Sequence, residues 1–323
     1  MEKHLWIGLA IALAGCSHGT ANGNANGGDG GVGGNGPQSY TLTFGPIDVP
    51  AGTENTQCIV RRLGNPAPLH VGTMHNLLGD ASHHMIVYKV ADTDEQPTPF
   101  ACQPFQDTVL GNGSPLVISQ KKDDLLQMPD GVAYTLDANQ MIRIEMHYLN
   151  ATPDDVMLTS STTMIETTNY VNEASFFLFG DMDIDIPAMT DVTLGPVFLA
   201  VDPQYAGANF FAITGHEHRL GTNVQVALAT GASDPGSMVY DVPNWVWSDP
   251  STVHHDPPFN VPSGGGFRFN CAWHNPTTTE VKFGESATDE MCFFWAYYYP
   301  SQGGSHVCIH SDANGTPTDH CLN

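Results

Sequence analysis

Positive charge is what this sequence has least of. Ten Lys plus Arg stand against 34 Asp plus Glu in 323 residues, a formal net charge of −24. Phosphate neutralisation needs clustered cations, so nucleic acid is excluded as a partner, and a polybasic membrane-surface binder falls on the same ground. Charged residues are 14% and hydrophobic ones 41%, which excludes both highly charged disorder and a multispan membrane protein. There is no Gly-x-Ser-x-Gly elbow, P-loop or dinucleotide fingerprint. Cys-x-x-Cys pairs are missing too, which argues against a redox dithiol or a zinc knuckle. No long amphipathic helix and no repeat of solenoid period can be traced.

What remains reads as β-structure. Aromatics at 9%, with 33 Gly and 23 Pro, describe strands broken by many turns. Met141 to Tyr148 alternates with period two, as a half-buried strand does. Shorter runs recur at Gln57–Arg62, His83–Val90, Val156–Thr168, Asn209–His218, Asn223–Ala229, Phe267–Cys271 and Phe293–Tyr299. Gly-rich turns such as Leu110–Gly113 and Ser263–Gly266 separate them. The expectation is an all-β chain of two tandem antiparallel β-sandwich (jelly-roll-like) domains, 38–175 and 176–323.

Ahead of them, Leu5 to Ala14 is an apolar run too short to span a bilayer, ending in Leu13-Ala14-Gly15-Cys16. That ending resembles the lipobox of bacterial lipoproteins. It implies a signal over 1–16, lipid on Cys16, and membrane contact only through that anchor, at the outer membrane or cell surface or in the periplasm. Residues 17–37, rich in Gly and Asn, read as a flexible tether. The six remaining cysteines, Cys58, Cys102, Cys271, Cys292, Cys308 and Cys321, are an even set in an exported chain and suggest three disulfides.

Fifteen histidines are the unusual count, although about one adjacent pair and one His-x-His are expected by chance at that frequency. His216 and His218 end an apolar run, and positions i and i+2 of a strand face the same way, so both rings can reach one metal. Neighbours His83 and His84 point to opposite faces of a regular strand and can share an ion only where the backbone is irregular. His147 closes the most regular strand. His254-His255, followed by Asp256-Pro257-Pro258, reads as a loop. His306, Cys308, His310, His320 and Cys321 form a conceivable zinc site in the tail.

Four segments occur in a telling order: Ser82-His83-His84-Met85, Glu145-Met146-His147-Tyr148, His216-Glu217-His218-Arg219-Leu220-Gly221, and Asp289-Glu290-Met291-Cys292 followed by Tyr297-Tyr298-Tyr299-Pro300. Together they resemble the copper type II, ascorbate-dependent monooxygenases, the family of peptidylglycine hydroxylating and dopamine β-monooxygenases. The resemblance implies two coppers per chain, one in each domain, facing a water-filled interdomain cleft. His83, His84 and His147 would hold the electron-transfer copper. His216, His218 and Met291 would hold the catalytic, oxygen-activating one. The implied reaction hydroxylates a substrate C–H bond with O2 and a reductant such as ascorbate. Two imidazoles with a thioether suit copper on ligand chemistry as well, since a soft sulfur favours Cu(I). The resemblance further implies the pairs Cys271–Cys292 and Cys58–Cys102, which leaves Cys308 with Cys321.

The peptide-amidating branch holds a terminal carboxylate with an Arg, an Asn and a Tyr, where this chain has Thr214, Phe293 and Trp295. Without a guanidinium there is no bidentate clamp. An apolar or aromatic substrate suits Phe293, Phe294 and Trp295 better, and the negative charge disfavours anionic ascorbate. Two other classes compete: a non-catalytic copper-buffering lipoprotein, and a β-sandwich adhesion or carbohydrate-binding module with incidental histidines.

Overall fold

A computed structural model describes residues 36–105, 113–312 and 318–322. Cys16 and most of the Leu110–Gly113 turn therefore lie outside the described residues. Within them the chain is nearly all strand, the one helical element being a 3-10 turn at Pro203–Tyr205.

The first half forms two sheets. The outer one runs β1 (Ser39–Val49), β10 (Val156–Glu166), β3 (Leu69–Leu77), β8 (Gly131–Leu136), β11 (Tyr170–Glu173), with β7 (Asp123–Gln127) also on β3. The inner one runs β5 (Gln96–Ala101), β2 (Glu54–Arg62), β9 (Met141–Leu149), β4 (Ser82–Val90), β6 (Ser114–Ser119). The second half mirrors this sandwich-like plan. Its inner sheet runs β18 (Val253–Asn260), β15 (Asn209–His216), β21 (Phe293–Tyr299), β12 (Ser175–Asp181), β22 (His306–Ser311), β23 (Thr318–Leu322). Its outer sheet runs β14 (Thr190–Ala200), β19 (Gly266–Asn275), β16 (Gly221–Ala229), β17 (Ser237–Asp241). A small ribbon pairs β13 (Asp185–Ile186) with β20 (Val281–Lys282). Most pairings are antiparallel, while β12–β22 and β8–β11 are parallel.

The two inner sheets face one another, and strand parity shows how the sequence achieves it. On β12, Phe176 and Leu178 join the first core while Phe177 and Phe179 join the second. On β21, Trp295 and Tyr297 point one way, and Phe294, Ala296 and Tyr298 the other. Such strands, apolar on both faces, read as continuous hydrophobic runs because both faces are buried. Between the sandwiches, Leu178, Trp295, Tyr297 and Val307 pack into one hydrophobic cluster with first-half residues, beside a cavity lined from both halves. Polar ties cross the same seam, with the Ile118 amide donating to the Tyr297 hydroxyl at 3.2 Å and Gln120 Nε2 donating to the Gly215 carbonyl at 3.3 Å.

The disulfides are Cys58–Cys102, Cys271–Cys292 and Cys308–Cys321. The last corrects the tail zinc reading, because sulfurs joined to each other are not free thiolate ligands. His254 and His255 are likewise not in a loop but on β18. That strand is at a sheet edge, the place where Pro257 and Pro258 are tolerated because their missing N–H groups break no ladder on the open side.

Candidate metal centre

His147 lies on β9 and His84 opposite it on β4. Ser82 opposes Tyr148 and His84 opposes His147, so His83 is an extra residue with no partner on β9. This bulge supplies the backbone irregularity that two adjacent histidines need to reach one place. Their rings meet His147 at centroid distances of 5.1 Å for His83 and 5.0 Å for His84.

From the other sandwich comes His216, the last residue of β15, on the face that looks toward the first sandwich. His218 lies two residues on, past the end of the strand rather than on it. Its ring still sits 5.2 Å from His216. The turn that follows is shaped by Glu217, which is fully buried and accepts the Ala272 amide at 2.9 Å. Gly221 is packed against the Glu217 side chain so closely that a Cβ there would collide with it. This gives His-Glu-His-Arg-Leu-Gly a structural reason for its glycine.

The two histidine sets lie side by side. His83 stands 5.9 Å from His216 and 5.5 Å from His218, centroid to centroid, and His84 stands 5.9 Å from His216. Five imidazoles, three from the first sandwich and two from the second, thus converge at the seam. Trp247, from the loop before β18, covers His83 at 5.4 Å.

Hydrogen bonds fix which nitrogen each ring presents. His218 Nδ1 meets the Asp289 carbonyl at 3.2 Å, so it must donate, leaving the Nε2 lone pair bare. Gln120 is oriented by its amide bond to Gly215, which turns its oxygen to His216 Nδ1 and leaves that ring's Nε2 as the acceptor. His147 Nε2 donates to Glu54 at 2.9 Å, which leaves Nδ1 free of its proton. Such outer partners are what orient histidines at metal sites. His83 Nε2, His84 Nδ1 and His218 Nε2 are buried with no hydrogen-bond partner. Each such orphan costs about 1–3 kcal/mol unless something fills it.

Burial also keeps the rings neutral. Desolvation, reinforced by neighbouring rings, pulls His83, His84 and His216 well below the usual imidazole range, and takes His218 down to about 4. Desolvation lowers His147 too, although Glu54 partly offsets it. Neutral imidazoles with inward lone pairs are the form that binds a metal.

Met291 lines the cavity beside the cluster. Neighbouring Cys292 is fully buried in its disulfide, while Met291 lines a cavity of about 280 Å³ together with His84, His147 and His216. Glu290 ties this segment to the histidine turn. Its buried carboxylate accepts the amides of His218 (2.9 Å) and Leu220 (2.7 Å) and the Trp273 indole (2.9 Å). Phe293 and Trp295 line the cavity as well. Thr214 does not, and its hydroxyl bonds Thr252 at 2.7 Å. Phe294 packs in the second core.

Sequence reasoning did not find Glu54, Gln120 or Trp247, and gave no role to Glu145 or Glu290 within the segments that contain them. Buried carboxylates and amides bear no spacing signature, and their partners are remote in the chain. Glu145 lines the cavity, and desolvation raises its carboxyl to about 7 despite hydrogen bonds from the Phe105 amide and the Tyr88 hydroxyl.

Residues 200–319 match the family model of the copper type II ascorbate-dependent monooxygenase C-terminal domain. His216, His218 and Met291 lie within that stretch, and the first-sandwich histidines lie outside it. No curated protein matches the chain. Among solved structures the chain is similar to PNGase F, a glycosylasparaginase from Flavobacterium meningosepticum, at 10% identity and a TM-score of 0.40, over 88% of this chain and 99% of that one. It is also similar to the STIV MCP, at 8% identity and a TM-score of 0.29, over 81% and 95% of the two chains. These overlaps are too loose to argue from.

Proposed function

We propose that the protein is a copper-dependent monooxygenase that hydroxylates a C–H bond of a small, largely apolar substrate, using O2 and two electrons from a reductant such as ascorbate. The observation that carries this reading is the cluster itself: five imidazoles, three of them with buried unpartnered nitrogens, beside a cavity that Met291 also lines. That donor set fits copper, because imidazole suits either oxidation state and the soft sulfur favours Cu(I). Bound copper supplies one-electron redox chemistry and the reduction of O2.

In this reading His83, His84 and His147 hold the electron-delivering ion, and His216, His218 and Met291 the oxygen-reactive one. Glu54 and Gln120 hold His147 and His216 in the tautomer that binds. Apolar walls from Ile86, Ile118, Leu178, Phe293 and Trp295 exclude water and orient the substrate. No Lys or Arg lines the cavity among the described residues, so a substrate carboxylate finds no cation there. Glu145, protonated below about pH 7, presents a neutral acid that can donate to an uncharged polar group. A protein that only buffers copper has no need of such a cavity, which favours catalysis over storage. Export and anchorage through Cys16 belong to the same proposal, and three disulfides fit an oxidising compartment.

The test is ascorbate-dependent O2 uptake by the copper-loaded protein with a panel of small aromatic compounds, analysed for hydroxylated product. The expected result is product formation that Met291→Ala abolishes. Uptake no faster than that of free copper at equal concentration contradicts the reading.

A further inference from the structure

We infer that His83 belongs to both histidine sets: beyond its place beside His84 and His147, it completes a three-imidazole site with His216 and His218 that spans the two sandwiches. The inference rests on the copper reading above and changes its ligand assignment. Ligand nitrogens of His83, His216 and His218 all lie within 4.8 Å of one another, and so do those of His83, His84 and His147. His83 is the one residue common to both triads.

The local structure explains why His83 and not His84 has this reach. As the extra residue of the bulge, His83 has no register partner on β9, whereas His84 is paired with His147. A bulged residue is free to re-aim its side chain. The ring stands 5.5 Å from His218, the second-sandwich ring whose Nε2 is itself buried and unpartnered. His83 Nε2 is in the same condition. Two orphaned ring nitrogens from different sandwiches, with His216 completing the triangle, make a site that exists only while the sandwiches are docked. One ion there ties the halves together, and Met291 lines a cavity shared with His216.

The experiment removes the first-sandwich pair and asks what His83 does without it. Cu(I) stoichiometry and affinity are measured by competition with a chelator for the full chain, for His84→Ala/His147→Ala, and for that double variant with His83→Ala added. The double variant should keep one ion, and adding His83→Ala should weaken it by roughly 100-fold, the upper end of what losing a mere outer partner costs. At the copper K-edge the same step should remove one nitrogen from the ion's shell. Residual binding unchanged by His83→Ala overturns the inference, as does a folded double variant that binds no copper. Should the alanine variants fail to fold, His84→Gln/His147→Gln with and without His83→Gln give the same comparison. A full-length wild-type chain that binds no copper would instead refute the functional reading, so the two failures are distinguishable.

Discussion

A single side chain can decide which nitrogen a ring offers. Gln120 does this for His216 from the opposite sandwich, and nothing in its sequence neighbourhood announces it. Gln120→Leu removes the acceptor that fixes His216 Nδ1, so copper affinity should fall by about 10–100-fold, the usual effect of losing an outer partner. Chelator competition reads this directly, and an unchanged affinity would show that the amide does not orient the ring. Glu290 carries a different burden, because its carboxylate satisfies three buried donors at once. Glu290→Ala strands them all and should destabilise the protein by about 3 kcal/mol or more, measured by urea unfolding. A loss under about 1 kcal/mol would mean that water or a shifted backbone replaces the carboxylate. The imidazoles were singled out by the resemblance, since short spacings alone arise by chance at this histidine frequency. Their outer partners were not, because Glu54 lies 93 residues from His147 and Gln120 lies 96 from His216.

Among elements, the regular strands were the most legible. β9 and β21 match the expected spans almost to the residue, although both strands are buried on both faces, where a half-buried β9 was expected. Two departures have physical causes. The end of β15 at His216 follows from Glu217 turning inward, which no hydropathy pattern records. β18 was read as a loop because two prolines were weighed as turn-formers, although an edge strand admits them. The terminal hairpin of β22 and β23 offers a prediction of its own. Burial pulls the His310 imidazole down, but the Asp319 hydrogen bond and the charges of Asp181, Asp319 and Asp312 outweigh it and hold His310 above its ordinary value. A raised imidazole contributes stability that is full below its unfolded value of about 6.5 and is lost as pH rises through the folded one. His310→Ala should therefore destabilise the protein at about pH 6 and have a smaller effect at about pH 9, by thermal melts at both. Equal losses at the two would assign His310 a packing role alone.

At the scale of the whole molecule, the sequence disclosed an all-β chain but not how its halves meet. Docking depends on complementarity between surfaces remote in sequence, which periodicity cannot express. Between the halves the structure places a hydrophobic cluster, a cavity lined from both sandwiches, and five neighbouring imidazoles. A shared core predicts shared unfolding. Calorimetry of the disulfide-intact, metal-free protein should show one cooperative transition, whereas two resolved transitions would mean that the sandwiches are independent. Copper should raise that transition, since an ion at about 100 times its dissociation constant adds about 2.7 kcal/mol per site. The most direct test of the central claim is copper K-edge spectroscopy of the reduced, copper-loaded chain beside its Met291→Ala variant. The account predicts imidazole nitrogens plus a sulfur scatterer in the wild type, with the sulfur gone from the variant. A shell of nitrogen and oxygen alone, identical in both proteins, would contradict it.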